Sequence, residues 1–362
     1  MATANSAALQ PRKSTNDRLN RRAPEPLRWA FWALQRVRPS VAERLAGWLF
    51  CHPTGARTAP DERAVFEESY PFRIRAQGFE LEAWSWGDGP TVLLHHGWNG
   101  RATHMAGWVR SLLDAGFSVV TYDAPAHGES PGRITSAPEM ARVLREVAAE
   151  LCGVHAVVAH SIGGAATLLA VQAGLEIEKA VLLATPSDLR SFIDLFGEHL
   201  GLDTRTRNGM ARRIADRFGI VWEEMAVESW ARGSRPPLLV VHDRYDPVVP
   251  WFDGAEICSA WGKAELLSTT GLGHRGVRRN PEVIARAVAF LKTKTEDPHV
   301  APAGVDQLLP RNRSPRVFDQ QIQDAHSTLA GTDLASATTE RAALEAEDVV
   351  SEAVSRWHRL SE

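Results

Sequence analysis

The chemically most informative segment of the chain is VVAHSIGGAA, in which Ser161 stands between two structural patterns. A β-branched apolar run precedes the serine and predicts a strand, and a run of small residues follows it and predicts a helix. A serine hydroxyl becomes a good nucleophile only when it is lifted clear of the backbone beside a base that takes its proton. A sharp strand-to-helix turn lifts it clear, and Ala159 and Gly163 are small enough to let the two elements approach each other. The segment therefore predicts a nucleophilic serine.

Candidate partners for this serine follow two predicted strands further along the chain. His274 lies in the glycine-rich turn of TTGLGHRG, ahead of a helical pattern, and an imidazole can take a proton from a hydroxyl. The segment PPLLVVHDRYDPVVP is a buried-strand pattern followed by an acidic loop that contains Asp243 and Asp246. Asp188, after an earlier strand, is a third acidic candidate. One of these carboxylates could hold the imidazole in the reactive tautomer.

These segments resemble the α/β-hydrolase superfamily. The serine turn resembles the G-x-S-x-G nucleophile elbow, with Ala159 at the first glycine position. The acidic loop resembles the family pattern H-G-x-x-D-x-x-V-P, with Asp243 at the glycine position and Asp246 at the acid position. The chain order Ser161, Asp246, His274 is also the order of this fold. The resemblance therefore favours Asp246 over the other two aspartates.

The resemblance extends upstream to TVLLHHGWNG, an apolar strand pattern that ends in a histidine and a glycine. In the superfamily the loop after this third strand gives a backbone N–H to the oxyanion hole. The match implies that the N–H groups of Trp98 and Ile162 are the two donors. It also implies that Gly97, Trp98 and His160 contact the substrate.

A further motif follows the fourth predicted strand. The segment DAPAHGES resembles the family motif D-x-x-G-H-G-x-S, with Ala126 at the first glycine position. We expect His127 to hold this loop by a hydrogen bond rather than to take part in catalysis.

The elements that must position these residues follow from hydrophobic periodicity. Short β-rich runs alternate with helical patterns, which predicts an α/β fold with a mostly parallel sheet and helices on both faces. The middle strands are continuously apolar, and the first two alternate as an antiparallel edge hairpin does. The predicted strands are YPFRIRA, FELEAWSW, TVLLHH, SVVTYDA, AVVAHS, KAVLLAT, PPLLVVHD and AELLSTT. Eight strands are also what the resemblance to the α/β-hydrolase fold implies.

The chain divides into a predicted hydrolase domain, residues 70–294, and two additions. Residues 1–26 are polar and Arg-rich and predict a disordered tail, whereas residues 295–362 predict a flexible tail that could end in a helix. Residues 27–69 predict a helical segment. Within the domain, residues 187–235 have helical spacing, and the resemblance implies a small cap over the active site there. One apolar face of this cap is predicted to comprise Phe192, Leu195, Phe196 and Leu200.

The N-terminal helical segment contains an unusual density of aromatic residues. Ser40 and Glu43 form a capping-box pair at the start of its second helical pattern. Two locations stay open for the apolar face: it could dock on the hydrolase core, or residues 27–50 could make weak contact with a membrane surface. Neither helical pattern is long enough to span a bilayer. The aromatic-rich cluster consists of Trp29, Phe31, Trp32, Trp48, Leu49 and Phe50.

Composition narrows the class of protein further. The 362 residues are 44% hydrophobic and 23% charged, as in soluble globular proteins, and a net charge of −3 gives no bulk attraction to nucleic acid. Three widely spaced cysteines match neither a disulfide framework nor a metal site, which favours a reducing, cytoplasmic location. The sequence contains no metal-ligand cluster and no dinucleotide fingerprint, so we expect no metal and no cofactor.

The resemblance implies a serine hydrolase that cleaves a small-molecule carboxylic ester. Haloalkane dehalogenases and epoxide hydrolases place an aspartate where this chain has Ser161, which argues against those branches. Three alternatives to an esterase stay open. An acyl thioesterase would use the same residues behind a basic entrance, and an amidase or peptidase would need a leaving-group site. A non-catalytic binding protein could keep the same scaffold. The physiological substrate and the oligomeric state do not follow from the sequence. The candidate entrance arginines are Arg101, Arg275, Arg278 and Arg279.

Overall fold

One eight-stranded sheet forms the centre of the molecule. The computed structural model describes residues 23–55, 57–233 and 235–293. The strands are β1 (Tyr70–Ala76), β2 (Phe79–Trp86), β3 (Thr91–His95), β4 (Ser118–Tyr122), β5 (Ala156–His160), β6 (Lys179–Leu183), β7 (Leu238–Asp243) and β8 (Ala264–Thr269). Their order in the sheet is β1-β2-β4-β3-β5-β6-β7-β8. β1 and β2 form an antiparallel hairpin, β2 pairs antiparallel with β4, and all remaining pairs are parallel. The predicted α/β-hydrolase sheet is therefore confirmed.

Helices cover both faces of this sheet. In the described part of the chain they are α1 (Glu25–Val37), α2 (Pro39–Cys51), α3 (Pro60–Glu67), α4 (Val109–Asp114), α5 (Ala137–Glu150), α6 (Ile162–Gln172), α7 (Arg190–Leu200), α8 (Thr204–Phe218), α9 (Val227–Trp230), α10 (Trp251–Trp261), α11 (Gly273–Gly276) and α12 (Pro281–Lys292). The apolar core beneath one face includes residues of α5, α6 and α10, and the core beneath the other includes residues of α4 and α12. Because both faces are covered, every residue of β5 is buried, as its continuously apolar sequence predicts.

The ends of several helices are fixed by side-chain caps. Asn280 accepts hydrogen bonds from two backbone N–H groups in the first turn of α12 and so caps that helix. The predicted capping box of α2 is wrong. Pro39 occupies the first helical position, where its fixed φ is already helical, so Ser40 lies inside the first turn. Glu43 instead forms an ion pair with Arg213 of α8 at 3.0 Å.

The two N-terminal helices pack on α7 and α8, which lie in the connection between β6 and β7. On α1, Leu27, Phe31 and Leu34 are buried, whereas Trp29 and Trp32 are 64% and 46% exposed. On α2, Ala42 and Ala46 are fully buried because small side chains let helices approach closely. No described helix combines the length and the apolar character that a membrane crossing requires.

The predicted apolar face of α7 is partly wrong. Ile193, Gly197 and Leu200 form the buried side of α7, while Leu195 is 47% exposed. Phe196 is half-buried and packs edge-to-face on Phe50 of α2. The prediction from helical periodicity considered only large apolar side chains. It therefore overlooked Gly197, whose backbone lies directly against the side chain of Arg207.

Candidate active site

Ser161 sits at the turn between β5 and α6 in a strained backbone conformation. Its φ of 54° and ψ of −126° lie in a region that residues other than glycine rarely adopt. Such a conformation costs about 1–3 kcal/mol and persists only where surrounding contacts hold it. The Ser161 N–H donates to the carbonyl of Leu183 at 2.8 Å, and its carbonyl accepts from the N–H of Gly164 at 2.8 Å. The turn therefore presents the hydroxyl beyond the end of the sheet.

Two glycines let backbone segments approach the nucleophile closely. A Cβ atom on Gly163 would lie 2.9 Å from the carbonyl oxygen of His95 and would overlap that of His96. A Cβ atom on Gly97 would lie 2.9 Å from the carbonyl oxygen of His160 and 3.0 Å from the Cβ of Ser161. The contacts with these carbonyl oxygens are shorter than real Cβ contacts, so neither position has room for a side chain. The close approach brings the loop after β3 directly beside the serine.

His274 joins the serine to one of the three candidate aspartates. Its Nε2 atom lies 3.1 Å from Ser161 Oγ, and its Nδ1 atom lies 2.8 Å from Asp246 Oδ2. The Asp246 side chain is fully buried, and its Oδ1 accepts from the N–H groups of Val248 at 2.7 Å and Val249 at 3.0 Å. A carboxylate at this position accepts Nδ1–H, which leaves Nε2 free to accept the serine proton.

The other two aspartates have different contacts. Asp243 accepts hydrogen bonds from Thr269 Oγ1 and the Leu272 N–H, each at 2.9 Å, and thereby anchors the loop that leads to His274. Burial raises the pKa of Asp243, but these bonds and a third from the Tyr245 N–H outweigh burial and hold the pKa below its usual value. Asp188 accepts from the N–H of Arg190. Only Asp246 reaches the imidazole.

The two predicted oxyanion donors belong to the two backbone segments next to the serine. Ile162 is the first residue of α6, and Trp98 follows the glycine that packs against Ser161. Within the described residues, neither backbone N–H donates to a protein acceptor. Two uncommitted N–H groups beside a nucleophile can receive a substrate oxygen. The Trp98 ring is half-buried and packs edge-to-face on His127, with the ring centroids 5.5 Å apart.

His160 lies beside His274 and bonds to its backbone. Its Nε2 atom donates to the backbone carbonyl of His274 at 2.9 Å, and the two rings are 4.8 Å apart. The side chain is only 8% exposed. The resemblance implied a substrate contact for His160, and the sequence offered no sign of its bond to a residue 114 positions away.

Further histidines are buried beneath the site. His127 donates from Nδ1 to the carbonyl of Pro125 at 3.0 Å, and so holds its loop as expected. His96 donates from Nδ1 to the Gly97 carbonyl and accepts the Ala124 N–H at Nε2. Burial lowers the pKa of His95 to about 3 and that of His127 to about 4, and it lowers the pKa of His96 well below 6.5. These imidazoles are therefore neutral at physiological pH.

Three of the four candidate entrance arginines bond to protein groups. Arg101 contacts Glu129 at 3.1 Å, and Arg279 is paired with Glu62. Arg278 is 5% exposed and donates to the carbonyl of His104 at 2.8 Å. Arg275 alone among the four is exposed without an ion pair in the described part of the chain.

Comparison with known proteins agrees with this fold. A profile of the Alpha/beta hydrolase family matches residues 92–287, more than half of the chain, so the chain belongs to this family. Family membership supports hydrolytic activity. No curated protein matches the sequence.

Solved structures with similar folds include two hydrolases. One is the esterase Pf2001 of Pyrococcus furiosus, with 20% identity, a TM-score of 0.53, and coverage of 67% of this chain and 96% of that one. The other is a putative lipase (lip1) of Acinetobacter baumannii AYE, with 17% identity, a TM-score of 0.51, and coverage of 64% and 93%. At these identities the likeness establishes the fold.

Proposed function

We propose that the protein is a serine hydrolase that cleaves a small-molecule carboxylic ester and needs neither metal nor cofactor. The observation that carries this proposal is the continuous contact from Ser161 Oγ to His274 Nε2, at 3.1 Å, and from His274 Nδ1 to Asp246, at 2.8 Å. Nucleophile, base and orienting acid then stand in the geometry that acyl transfer requires.

In the proposed reaction, Ser161 Oγ attacks the ester carbonyl carbon while its proton passes to His274 Nε2. Asp246 stabilises the imidazolium, and the N–H groups of Trp98 and Ile162 bind the oxyanion. Collapse of the tetrahedral intermediate breaks the C–O bond, and His274 returns the proton to the leaving alcohol. Water, deprotonated by His274, then attacks the acyl-enzyme. The bond from the acyl carbon to Ser161 Oγ breaks, His274 returns the proton to Oγ, and the carboxylic acid is released. The loop position of Gly97 and Trp98 supports a substrate contact there.

A fluorophosphonate probe combined with a panel of p-nitrophenyl esters tests this function. We expect the probe to label Ser161, and Ser161→Ala to lose labelling and to lower turnover by about a millionfold, because the members of such a triad act as a unit. Absence of labelling in the native protein would support a non-catalytic binding protein instead. Full hydrolysis by Ser161→Ala would contradict the mechanism.

The assignment of the acid is tested by comparing Asp246→Asn with Asp243→Asn. We expect Asp246→Asn to lower kcat by about 10⁴-fold with little change in stability, because the neutral amide supports the wrong imidazole tautomer. Asp243→Asn should lower the melting temperature through its lost loop contacts and reduce kcat much less. An unchanged kcat for Asp246→Asn would remove it from the mechanism.

Acyl-CoA substrates, assayed beside the esters, distinguish a thioesterase. The proposal favours esters because Arg101, Arg278 and Arg279 are occupied by protein contacts and so are poorly placed to bind a free phosphate group. A higher kcat/KM for acyl-CoA than for every ester would reverse this choice. A cytoplasmic location remains part of the proposal, supported by three free cysteines, two of them buried.

A further inference from the structure

We propose that His160 is a positioning residue for the general base, and that it sets the place of His274 relative to the nucleophile. This inference rests on the proposed function. His160 and Ser161 are neighbours in the chain, and each bonds to a different end of His274. Ser161 Oγ meets the ring at Nε2, at 3.1 Å, and His160 Nε2 meets the backbone carbonyl, at 2.9 Å.

Because the two residues are adjacent, one peptide unit fixes the spacing of both contacts. Its backbone is rigid here, since β5 ends at His160 and the strained turn of Ser161 is held by two backbone hydrogen bonds. The nucleophile and the backbone of its base are therefore tied together directly. Without His160, their separation would depend on the packing of elements far apart in the sequence.

The loop that leads into α11, the short helix that contains His274, needs such a tie. Gly271 and Gly273 precede the histidine with φ values of 81° and 62°, a conformation that glycine adopts readily. Because glycine has no side chain, neither residue restrains the backbone by side-chain packing. Asp243 anchors this loop at the Leu272 N–H, upstream of His274. Asp246 holds only the imidazole ring. The bond from His160 holds the His274 carbonyl itself.

The surroundings of His160 keep its imidazole neutral and oriented. Its pKa is lowered well below 6.5, first by burial and then by the positive charge of the nearby Arg278. On its other side, a Cβ atom on Gly97 would lie 3.1 Å from His160 Nδ1, so the loop backbone packs against the ring. A ring confined in this way donates Nε2–H to the carbonyl without competition from water.

The alternative is that His160 only fills space, and a pair of substitutions separates the two roles. His160→Phe keeps the ring volume but lacks the donor, whereas His160→Gln keeps an N–H donor of similar reach. We expect His160→Phe to lower kcat and the rate of fluorophosphonate labelling by about 10- to 100-fold, as loss of alignment does, with KM within about twofold. His160→Gln should retain kcat within about threefold. Equal activity of both variants, or failure of both with a large fall in melting temperature, overturns the positioning role.

His155→Phe is the matched control. His155 directly precedes the opposite end of β5 and stacks on Phe117, so its substitution should leave kcat unchanged. Crystal structures give a readout that does not depend on turnover. We expect the distance from Ser161 Oγ to His274 Nε2 to exceed hydrogen-bond range in His160→Phe and to stay within it in His160→Gln. If the native protein neither hydrolyses nor labels, the proposed function fails, while these distances still decide the role of His160.

Discussion

Ser161 and Ala126 occupy backbone conformations that favour glycine, yet neither is glycine. Their φ values are 54° and 64°. Ser161 must carry a hydroxyl, so its strain accompanies the proposed chemistry. Ala126 stands where the family motif has glycine, and its φ explains why glycine suits that position. The sequence identifies both residue types, but only the folded structure shows that their φ angles are positive.

Replacing Ser161 by glycine should separate function from stability. We expect Ser161→Gly to abolish hydrolysis as fully as Ser161→Ala does, yet to raise the free energy of unfolding by about 1–2 kcal/mol relative to Ser161→Ala. Glycine relieves the positive φ, and alanine does not. Urea denaturation of the two variants measures this difference. If alanine proves as stable as glycine, the turn is not strained.

At the scale of elements, the N-terminal helices and the helices between β6 and β7 stabilise one another. The backbone N–H of Asp203, at the start of α8, donates to the Gln35 side chain of α1 at 2.9 Å. Arg213 of α8 is paired with Glu43 of α2. The docking of these helices on the enzyme core was one of two locations that the sequence left open. Trp29 and Trp32 remain exposed, so that surface is available to a membrane or a partner.

Two aromatic residues on the same helix should therefore respond differently to truncation. We expect Phe31→Ala to lower the free energy of unfolding by about 3 kcal/mol, because Phe31 is fully buried and its removal leaves a cavity. Trp29→Ala should change it by less than about 0.5 kcal/mol, since Trp29 lies on the surface. Thermal denaturation of both variants gives the comparison. A large loss from Trp29→Ala would place that side chain in an interface.

At the scale of the whole molecule, burial of histidines couples stability to pH. The pKa of His95 falls to about 3, and those of His104 and His127 fall to about 4, in each case mainly through burial. Burial also lowers the pKa values of His96, His160, His199 and His242. Two carboxyls shift in the opposite sense, because burial raises the pKa of Asp123 to about 6 and that of Asp253 to about 7. The histidines outnumber these carboxyls.

The sign of the pH dependence follows from proton binding. Between about pH 4 and 6.5 the unfolded chain binds protons at histidines that stay neutral in the folded protein, so stability falls as the pH is lowered. The two carboxyls act in the opposite direction, because the folded protein binds protons at them that the unfolded chain does not. They therefore offset part of the loss of stability. We expect the free energy of unfolding to decrease by at least about 2 kcal/mol from pH 7 to pH 5.

Urea denaturation at several pH values measures this slope. His127→Gln removes one titrating group and should reduce the slope, which makes it the matched variant. A constant free energy of unfolding between pH 7 and pH 5 would mean that the buried histidines bind protons equally in both states.

The sequence by itself determined the eight strands, the elbow at Ser161 and the order of the candidate residues along the chain. These features are local, because apolar runs and small residues around a turn act on neighbouring positions. Tertiary structure decided which aspartate reaches His274, that His160 bonds to the His274 backbone, and which side of α7 is buried. Those contacts join residues that lie far apart in sequence or on separate helices. They depend on how strand ends and helices converge once both faces of the sheet are packed, and no local pattern encodes that convergence.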